Sequence, residues 1–177
     1  MSVSTDGITL NAPYCKSSIP ISQLTSTIKE NGIVFGGKIE YDIKNIFTAS
    51  NLEVSDYLNR EEFSVLNAIP TAEGAIQIAF EELATTIYGS EVLVMGFGRI
   101  SKILIKILNS LGANVTVTAR KYSDLAWAEI NGCKTIHISN LDKSVNSFNI
   151  IFNTIPCVIL NDIILKRIKK DCLVIDL

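Results

Sequence analysis

The chain shows its architecture most clearly at Val92-Leu93-Val94-Met95-Gly96-Phe97-Gly98-Arg99-Ile100-Ser101. The four apolar residues predict a buried strand, and the glycines that follow them predict a tight turn. A helix pattern comes next, and then a second strand pattern, Val115-Thr116-Val117-Thr118-Ala119, which ends on Arg120. Strand, glycine turn, helix and strand in this order are typical of an α/β unit that binds a dinucleotide.

The glycines of this turn have different predicted tasks. Gly96 can adopt the backbone conformation of a tight turn, and Gly98 lacks the Cβ that would keep a pyrophosphate away from the helix amides. The third small position is Ser101, which still permits close packing of the helix. An isolated glycine motif is a weak signal, but its place between a strand and a helix favours dinucleotide binding over a purely structural turn.

The residues after the second strand predict which dinucleotide binds. An NAD-binding unit usually has Asp or Glu there, whereas this chain has Ala119-Arg120-Lys121. Two cations suit a 2′-phosphate, so we predict NADP(H) in preference to NAD; a simply solvated Arg120 is the alternative. Arg99 either contacts phosphate or is solvated in the first helical turn, where the helix dipole does not favour a cation. His137, at the predicted adenine end, is not expected to be a catalytic base.

Composition limits the function classes. The 177 residues are 47% hydrophobic, which is enough for a folded core, and the formal net charge is −2 with a pI near 5.4. This charge gives no support to nucleic-acid binding. The sequence shows neither a signal peptide nor an apolar run long enough to cross a bilayer, so we predict a cytoplasmic protein. The four cysteines form no CxxC or Cys/His pattern and are expected to be reduced packing residues, with no metal site.

Alternating helix and strand patterns predict two α/β parts. Residues 1–66 are predicted to be a partial N-terminal α/β domain, and residues 67–89 a linking helix region. Residues 90–177 are predicted to form a Rossmann-type doubly wound parallel sheet with strand order 3-2-1-4-5. The chain starts on a loop pattern and ends on an apolar strand pattern, so we expect a fragment that is truncated at both ends.

Within the first part, residues 22–31 have helical spacing, and Ile33-Val34-Phe35 reads as a strand. A helix from about Asp42 and a strand at Glu62–Leu66 are predicted to follow. In the second part, Ser123 is expected to cap the helix that follows Arg120.

Two loops with the same pattern are predicted at strand ends, Asn67-Ala68-Ile69-Pro70 and Asn153-Thr154-Ile155-Pro156. Ligands of a doubly wound sheet bind outside the carboxyl ends of its strands, where the strand order reverses. The second loop leaves the fourth strand of this sheet, so we expect it to border the nicotinamide. The two loops either face each other across a cleft or are ordinary strand exits.

The predicted linking helix, residues 71–88, begins with Thr71 and Glu73. In one interpretation Thr71 caps the helix and Glu73 complements its dipole. In the other, free amides and the Thr71 hydroxyl bind a substrate carboxylate, and Glu73 is the candidate catalytic group that transfers a proton.

Four segments, residues 67–76, 92–99, 111–120 and 150–156, together resemble the family of bacterial dipicolinate synthase A subunits. The resemblance runs in order across residues 67–177. It implies a nicotinamide-dependent oxidoreductase that makes dipicolinate in the mother cell during endospore formation. The implied substrate is a cyclic dihydro- or hydroxytetrahydro-dipicolinate from the lysine pathway, and the implied partner is the flavoprotein-like B subunit of dipicolinate synthase.

The resemblance also implies roles for individual residues. The glycine turn would hold the pyrophosphate, Arg120 and Lys121 the 2′-phosphate, Thr154 to Pro156 the nicotinamide edge, and Thr71 and Glu73 the substrate. The turn residues concerned are Gly96, Phe97, Gly98, Arg99 and Ile100. Segments that the family has at either end are absent, so we expect this chain alone to be inactive or prone to aggregation. A dinucleotide-sensing regulatory module, a non-catalytic cofactor-binding protein and a homo-oligomer stay open as alternatives.

Overall fold

The structure, a computed structural model, describes residues 8–12 and 14–177. The chain divides into two compact units, Met1–Ser64 and Val65–Leu177. No helix of the described part is long and apolar enough to cross a membrane.

The described residues of the first unit include two short α-helices and a pair of parallel strands. Helix α1 (Ile21–Thr27) precedes strand β1 (Ile33–Gly36), and helix α2 (Tyr41–Ala49) precedes strand β2 (Glu53–Asp56). The strands pair in parallel from Ile33 against Glu53 to Gly36 against Asp56, because α2 carries the chain back between them. A small apolar core lies under these elements, formed by Ile21, Val34, Ile43, Phe47 and Leu52.

The predicted strand at Glu62–Leu66 is wrong, because these residues belong to a long helix, α3 (Glu61–Glu82). The apolar residues of this segment suggested a strand, but small residues at helical spacing are the stronger signal. They share one buried face of α3, at Ala68, Ala72, Ala75 and Ala79.

The predicted strand-exit loop at Asn67–Pro70 is also wrong, because it lies inside α3. Pro70 is therefore an interior helix residue, and its missing N–H removes one backbone hydrogen bond. Thr71 does not begin a helix; its hydroxyl donates to the carbonyl oxygen of Asn67, one turn earlier, at 3.0 Å.

The second unit is built on a five-stranded parallel sheet. Its elements after α3 are β3 (Glu91–Met95), α4 (Arg99–Ser110), β4 (Asn114–Ala119), α5 (Tyr122–Ile130), β5 (Lys134–His137), β6 (Ile150–Asn153), α6 (Asp162–Leu165) and β7 (Leu173–Asp176). The strand order is β5-β4-β3-β6-β7. This order reverses beside β3, as in doubly wound nucleotide-binding sheets, and it confirms the predicted 3-2-1-4-5 arrangement.

Helices and turns cover the two faces of this sheet. Val92 and Val94 of β3 pack in one cluster with α3 and with Leu104 of α4, whereas Leu93 and Met95 pack in a second cluster on the other face. Each fully buried side chain of this size contributes about 1.5–3 kcal/mol. The sheet therefore holds the end of β3, where the glycine turn begins, between two packed layers.

The predicted cap of helix α5 is wrong. Helix α5 begins after Lys121, and no side chain of the described residues caps it, so Ser123 is a first-turn residue instead of a cap. The segment between β5 and β6 forms two short 3₁₀ helices, Ile138–Lys143 and Val145–Ser147.

Candidate dinucleotide site

The end of β3 is closed by a turn that only glycine fits. Gly96 has a φ of +94°, and its N–H donates to the carbonyl oxygen of Thr118 on β4 at 2.8 Å. A Cβ on Gly96 would lie 2.8 Å from Oγ1 of Thr154 and 3.2 Å from Cγ1 of Ile155. The loop after β6 therefore lies so close to Gly96 that a side chain would not fit there, and the positive φ also favours glycine at this position.

Gly98 has open space where Gly96 has neighbours. Its backbone is extended, with φ −84°, and it immediately precedes the twelve-residue helix α4. A Cβ on Gly98 would meet no atom of the described residues within 4 Å. The first-turn amides of a helix lack intrahelical partners and carry partial positive charge, so this space suits the pyrophosphate of a dinucleotide.

A pair of hydroxyl groups fastens the loop after β6 to the glycine turn. The Thr154 hydroxyl donates to the carbonyl oxygen of Met95 at 2.8 Å, and the Thr154 N–H donates to the same oxygen at 3.1 Å. Because that hydroxyl has one hydrogen, it accepts from the buried Ser101 hydroxyl, 2.8 Å away. Ser101 therefore gives the third small position of the motif a polar contact with the opposite loop.

The end of β4 carries the two predicted cations. Arg120 and Lys121 are exposed, and they lie between Ala119, the last residue of β4, and Tyr122, the first of α5. The Nε2 atom of His137 lies 3.0 Å from the Arg120 carbonyl oxygen. The imidazole thus contacts the cation-bearing segment from the neighbouring strand β5.

These strand ends surround a pocket of about 310 Å³. This volume is at the lower end of the range for small-molecule sites, which fits part of a dinucleotide. Most residues predicted to contact the cofactor line it, together with Asp124, which the sequence analysis missed. The lining residues are Gly96, Phe97, Gly98, Ala119, Arg120, Lys121, Asp124, Thr154, Ile155 and Pro156.

Three residues predicted for the cofactor lie beside this pocket instead of lining it. Arg99 is exposed at the start of α4, and Ile100 packs against the core cluster under the sheet. Asn153 is buried; its Nδ2 donates to Oδ1 of Asp176 at 2.6 Å, and its Oδ1 accepts from the N–H of Ile155 at 3.2 Å. Asn153 lines a different cavity, together with Asp176.

Thr71 and Glu73 are not among the residues that line the pocket. Glu73 is exposed on α3, and Thr71 is half-buried with its hydroxyl bonded within its own helix. Thr71 is not a helix cap, and the amides beside it are not free first-turn amides, because α3 begins at Glu61.

The cysteines form no disulfide, but only some of them are packing residues. Cys133 is buried and Cys172 is half-buried, whereas Cys15 and Cys157 are exposed. Burial raises the pKa of the Cys133 thiol, and it raises the pKa of Cys172 to about 11. Across residues 8–12 and 14–177, no cluster of three His, Cys, Asp or Glu residues has the geometry of a metal site.

Known proteins resemble both the sequence and this arrangement. The A subunit of dipicolinate synthase from Bacillus subtilis is 33% identical over 145 residues, which cover 82% of this chain and 49% of the relative. The chain is homologous to this A subunit. It spans about half the length of this curated relative, and no profile of a known protein family matches it.

Crystal structures of dipicolinate synthase A subunits also share the fold. The protein from Bacillus halodurans matches with a TM-score of 0.88 and 26% identity, over 99% of this chain and 61% of that chain. The protein from Bacillus subtilis matches with a TM-score of 0.85 and 28% identity, over 98% of this chain and 58% of that chain. The resemblance inferred from four sequence segments is therefore confirmed.

Proposed function

We propose that this chain carries the nucleotide-binding part of a dipicolinate synthase A subunit that uses NADP⁺ during endospore formation. The reaction oxidises a dihydro- or hydroxytetrahydro-dipicolinate to dipicolinate, pyridine-2,6-dicarboxylate. A dihydro ring loses two electrons and two protons to become aromatic, and a hydroxytetrahydro ring also loses water. The observation that carries this proposal is the pocket in which the glycine turn, the end of β4 and the loop after β6 meet.

The residues of the turn fit the pyrophosphate of the cofactor. The pyrophosphate would lie in the open space beside Gly98, and the first-turn N–H groups of α4 would bind its negative charge, as helix N-termini do in dinucleotide-binding folds. Phe97, Arg99 and Ile100 flank this point, with Arg99 at the helix start as a proposed phosphate contact. The nicotinamide, when bound, supplies the acceptor for the two electrons that leave the substrate.

Arg120 and Lys121 support NADP⁺ as the cofactor. Both line the pocket beside Ala119, where a 2′-phosphate on the adenosine ribose would meet two positive charges. Asp124 lines the same pocket and opposes this preference, because its carboxylate repels a phosphate. We propose that the two cations outweigh the one carboxylate.

The loop after β6 is proposed to border the nicotinamide. Thr154, Ile155 and Pro156 line the pocket opposite the cations, and the Thr154 bonds to Met95 hold the loop against β3. Asn153 would act through this loop, because its side-chain oxygen accepts the Ile155 N–H.

The substrate side of the proposal rests on α3. Glu73 is exposed there and remains the proposed proton-transfer residue. Thr71 is a weaker candidate, because its hydroxyl donates to the Asn67 carbonyl oxygen and would have to give up that bond to reach a substrate carboxylate. The proposed partner is the flavoprotein-like B subunit of the synthase, and the proposed location is the cytoplasm of the mother cell.

The decisive experiment measures dipicolinate formation from its ultraviolet absorbance. The full-length gene product that carries this chain is incubated with the lysine-pathway precursor and NADP⁺, with and without the B subunit, and NAD⁺ serves as the comparison. Formation of dipicolinate with NADP⁺ supports the proposal. Oxidation that proceeds equally well with NAD⁺ contradicts the cofactor assignment, and no dipicolinate in any combination contradicts the activity.

One observation favours a second function, a sensor or structural protein that binds a dinucleotide without chemistry. Asp124 is the single acid among the residues that line the pocket, and it lies beside the cations at the end of β4. The residues of the loop after β6 that line the pocket, where the nicotinamide is proposed to lie, therefore include no acid that could transfer a proton. A titration of NADPH and NADH by fluorescence separates the two functions when it is combined with the dipicolinate assay. Tight NADPH binding without dipicolinate formation in the presence of the B subunit would favour the non-catalytic function.

A further inference from the structure

We propose that His137 is a positioning residue that sets the preference for NADP(H) by holding the backbone of Arg120. This inference rests on the proposed function, because it concerns the same 2′-phosphate site. His137 is the one histidine of the chain, and it lies at the end of β5, outside the group of residues that line the pocket.

The geometry fixes which imidazole nitrogen carries the hydrogen. His137 pairs with Ala119 across the parallel strands β5 and β4, which brings its ring beside Arg120. Nε2 lies 3.0 Å from the Arg120 carbonyl oxygen, and a carbonyl oxygen only accepts hydrogen bonds, so Nε2 donates. Nδ1 lies 2.7 Å from the Ser139 hydroxyl and 3.4 Å from the Ser139 N–H, and it accepts from them in the neutral ring.

The ring of Tyr122 packs against the face of the imidazole. The two rings are stacked, with centroids 4.9 Å apart and planes inclined by 18°. Tyr122 begins α5 directly after Lys121. The segment that carries both cations is therefore fixed twice, at the Arg120 carbonyl and at the Tyr122 ring, and both contacts converge on His137.

This double attachment predicts an effect on one cofactor only. An arginine that grips a phosphate oxygen gains most when its backbone is already in place, because less freedom is lost on binding. NADPH has the 2′-phosphate and NADH does not, so a loosened Arg120 should weaken NADPH binding and leave NADH binding nearly unchanged. A defect in the sheet itself would weaken both cofactors together.

The test uses four variants of the full chain, with dissociation constants for NADPH and NADH measured by fluorescence titration. Arg120→Ala gives the reference for a full loss of the NADPH preference. His137→Phe keeps an aromatic ring against Tyr122 but cannot donate to the Arg120 carbonyl. His137→Gln keeps an amide donor near the Nε2 position. Thr135→Val is the matched control, because it removes a 2.7 Å hydrogen bond to Glu129 from the same strand and does not touch Arg120. Thermal melting of each variant checks that it is folded.

We expect His137→Phe to lower the NADPH-over-NADH preference about 3- to 10-fold, the range for one neutral hydrogen bond. His137→Gln should recover most of the preference, and Thr135→Val should keep it. An unchanged preference in folded His137→Phe overturns the positioning role while the proposed function stands. If His137→Phe does not fold, His137→Gln is compared with Arg120→Ala. A loss of the NADPH preference in His137→Gln that is as large as the loss in Arg120→Ala overturns the positioning role. A wild-type chain without NADPH preference overturns both proposals.

Discussion

Substitution of each glycine of the turn by alanine is expected to have a different effect: one variant should lose stability, and the other should lose NADPH affinity. Gly96→Ala should destabilise the second unit, because alanine disfavours a φ of +94° and its Cβ would lie 2.8 Å from Thr154 Oγ1. Gly98→Ala should leave the fold intact, because its backbone is extended and the added Cβ faces open space.

The magnitude for Gly96→Ala follows from two costs. A left-handed backbone costs a non-glycine residue about 1–2 kcal/mol. Overpacking against a fixed neighbour costs about 1–3 kcal/mol, and Thr154 is fixed because its hydroxyl is bonded to both Met95 and Ser101. We therefore expect a loss of about 2–5 kcal/mol, or a fall in Tm on the order of 10 °C. Gly98→Ala should cost less than about 1 kcal/mol, as expected for an N-cap position.

Chemical denaturation and NADPH titration of both variants test this reasoning. Gly98→Ala should weaken NADPH binding at least about tenfold, equivalent to about 1.4 kcal/mol, because its methyl group would occupy the space that we propose for the pyrophosphate. The matched comparison is internal, since each variant adds one methyl group to the same turn. Equal destabilisation by the two variants, or wild-type NADPH affinity in Gly98→Ala, would refute the argument.

Three further predictions concern single side chains. Arg120→Asp should weaken NADPH binding about ten- to hundredfold and leave NADH binding equal or tighter, as fluorescence titration would show; unchanged selectivity contradicts a phosphate contact. Asp124→Asn should tighten NADPH binding about two- to fivefold by removing a repelling charge, and an unchanged affinity would place its carboxylate outside the phosphate's reach. Because burial raises the pKa of Cys172 to about 11, its alkylation by iodoacetamide should be slow at pH 8 and should accelerate up to about pH 11, whereas exposed Cys157 reacts first. Mass spectrometry of the labelled chain would contradict this if Cys172 reacted as fast as Cys157 at pH 8.

The parallel sheet of the second unit was predictable because its signals are local. The central strands β3 and β6 are mostly apolar, and glycines mark the ends of α4 and α5. Gly112 and Gly132, at φ +76° and +80°, close α4 and α5 in this way. The order of the strands then followed from the general rule for such sheets.

The region around Pro70 was not predictable by the same reasoning. Proline usually marks a boundary, so Glu62–Leu66 looked like a strand and Asn67–Pro70 like its exit. The structure instead continues α3 through Pro70, because a buried row of alanines stabilises the helix more than the lost hydrogen bond destabilises it. Tertiary packing overrides the local preference here.

The parts of the candidate site that depend on backbone conformation could be predicted from the glycine motif. The parts that depend on side-chain contacts between distant segments could not. Gly96 and Gly98 follow from the turn, and Arg120 from the strand end. Asn153 has the pattern of a cofactor contact, but its amide pairs with Asp176, which is far away in sequence. The sequence did not indicate Asp124 as a pocket residue, because a carboxylate in the first turn of a helix is already explained by its favourable interaction with the helix dipole.

The hydroxyl pair of Ser101 and Thr154 also bears on how this edge of the sheet moves. Both the N–H and the hydroxyl of Thr154 donate hydrogen bonds to the carbonyl oxygen of Met95, the last residue of β3. The loop can therefore detach from the sheet only when both of these bonds break. Local opening is governed by such shared bonds. Amide hydrogen exchange at Thr154 should therefore be as slow as within β3, although Thr154 lies in a loop. A dinucleotide would then meet a preformed edge, and its binding would need little reordering of the chain.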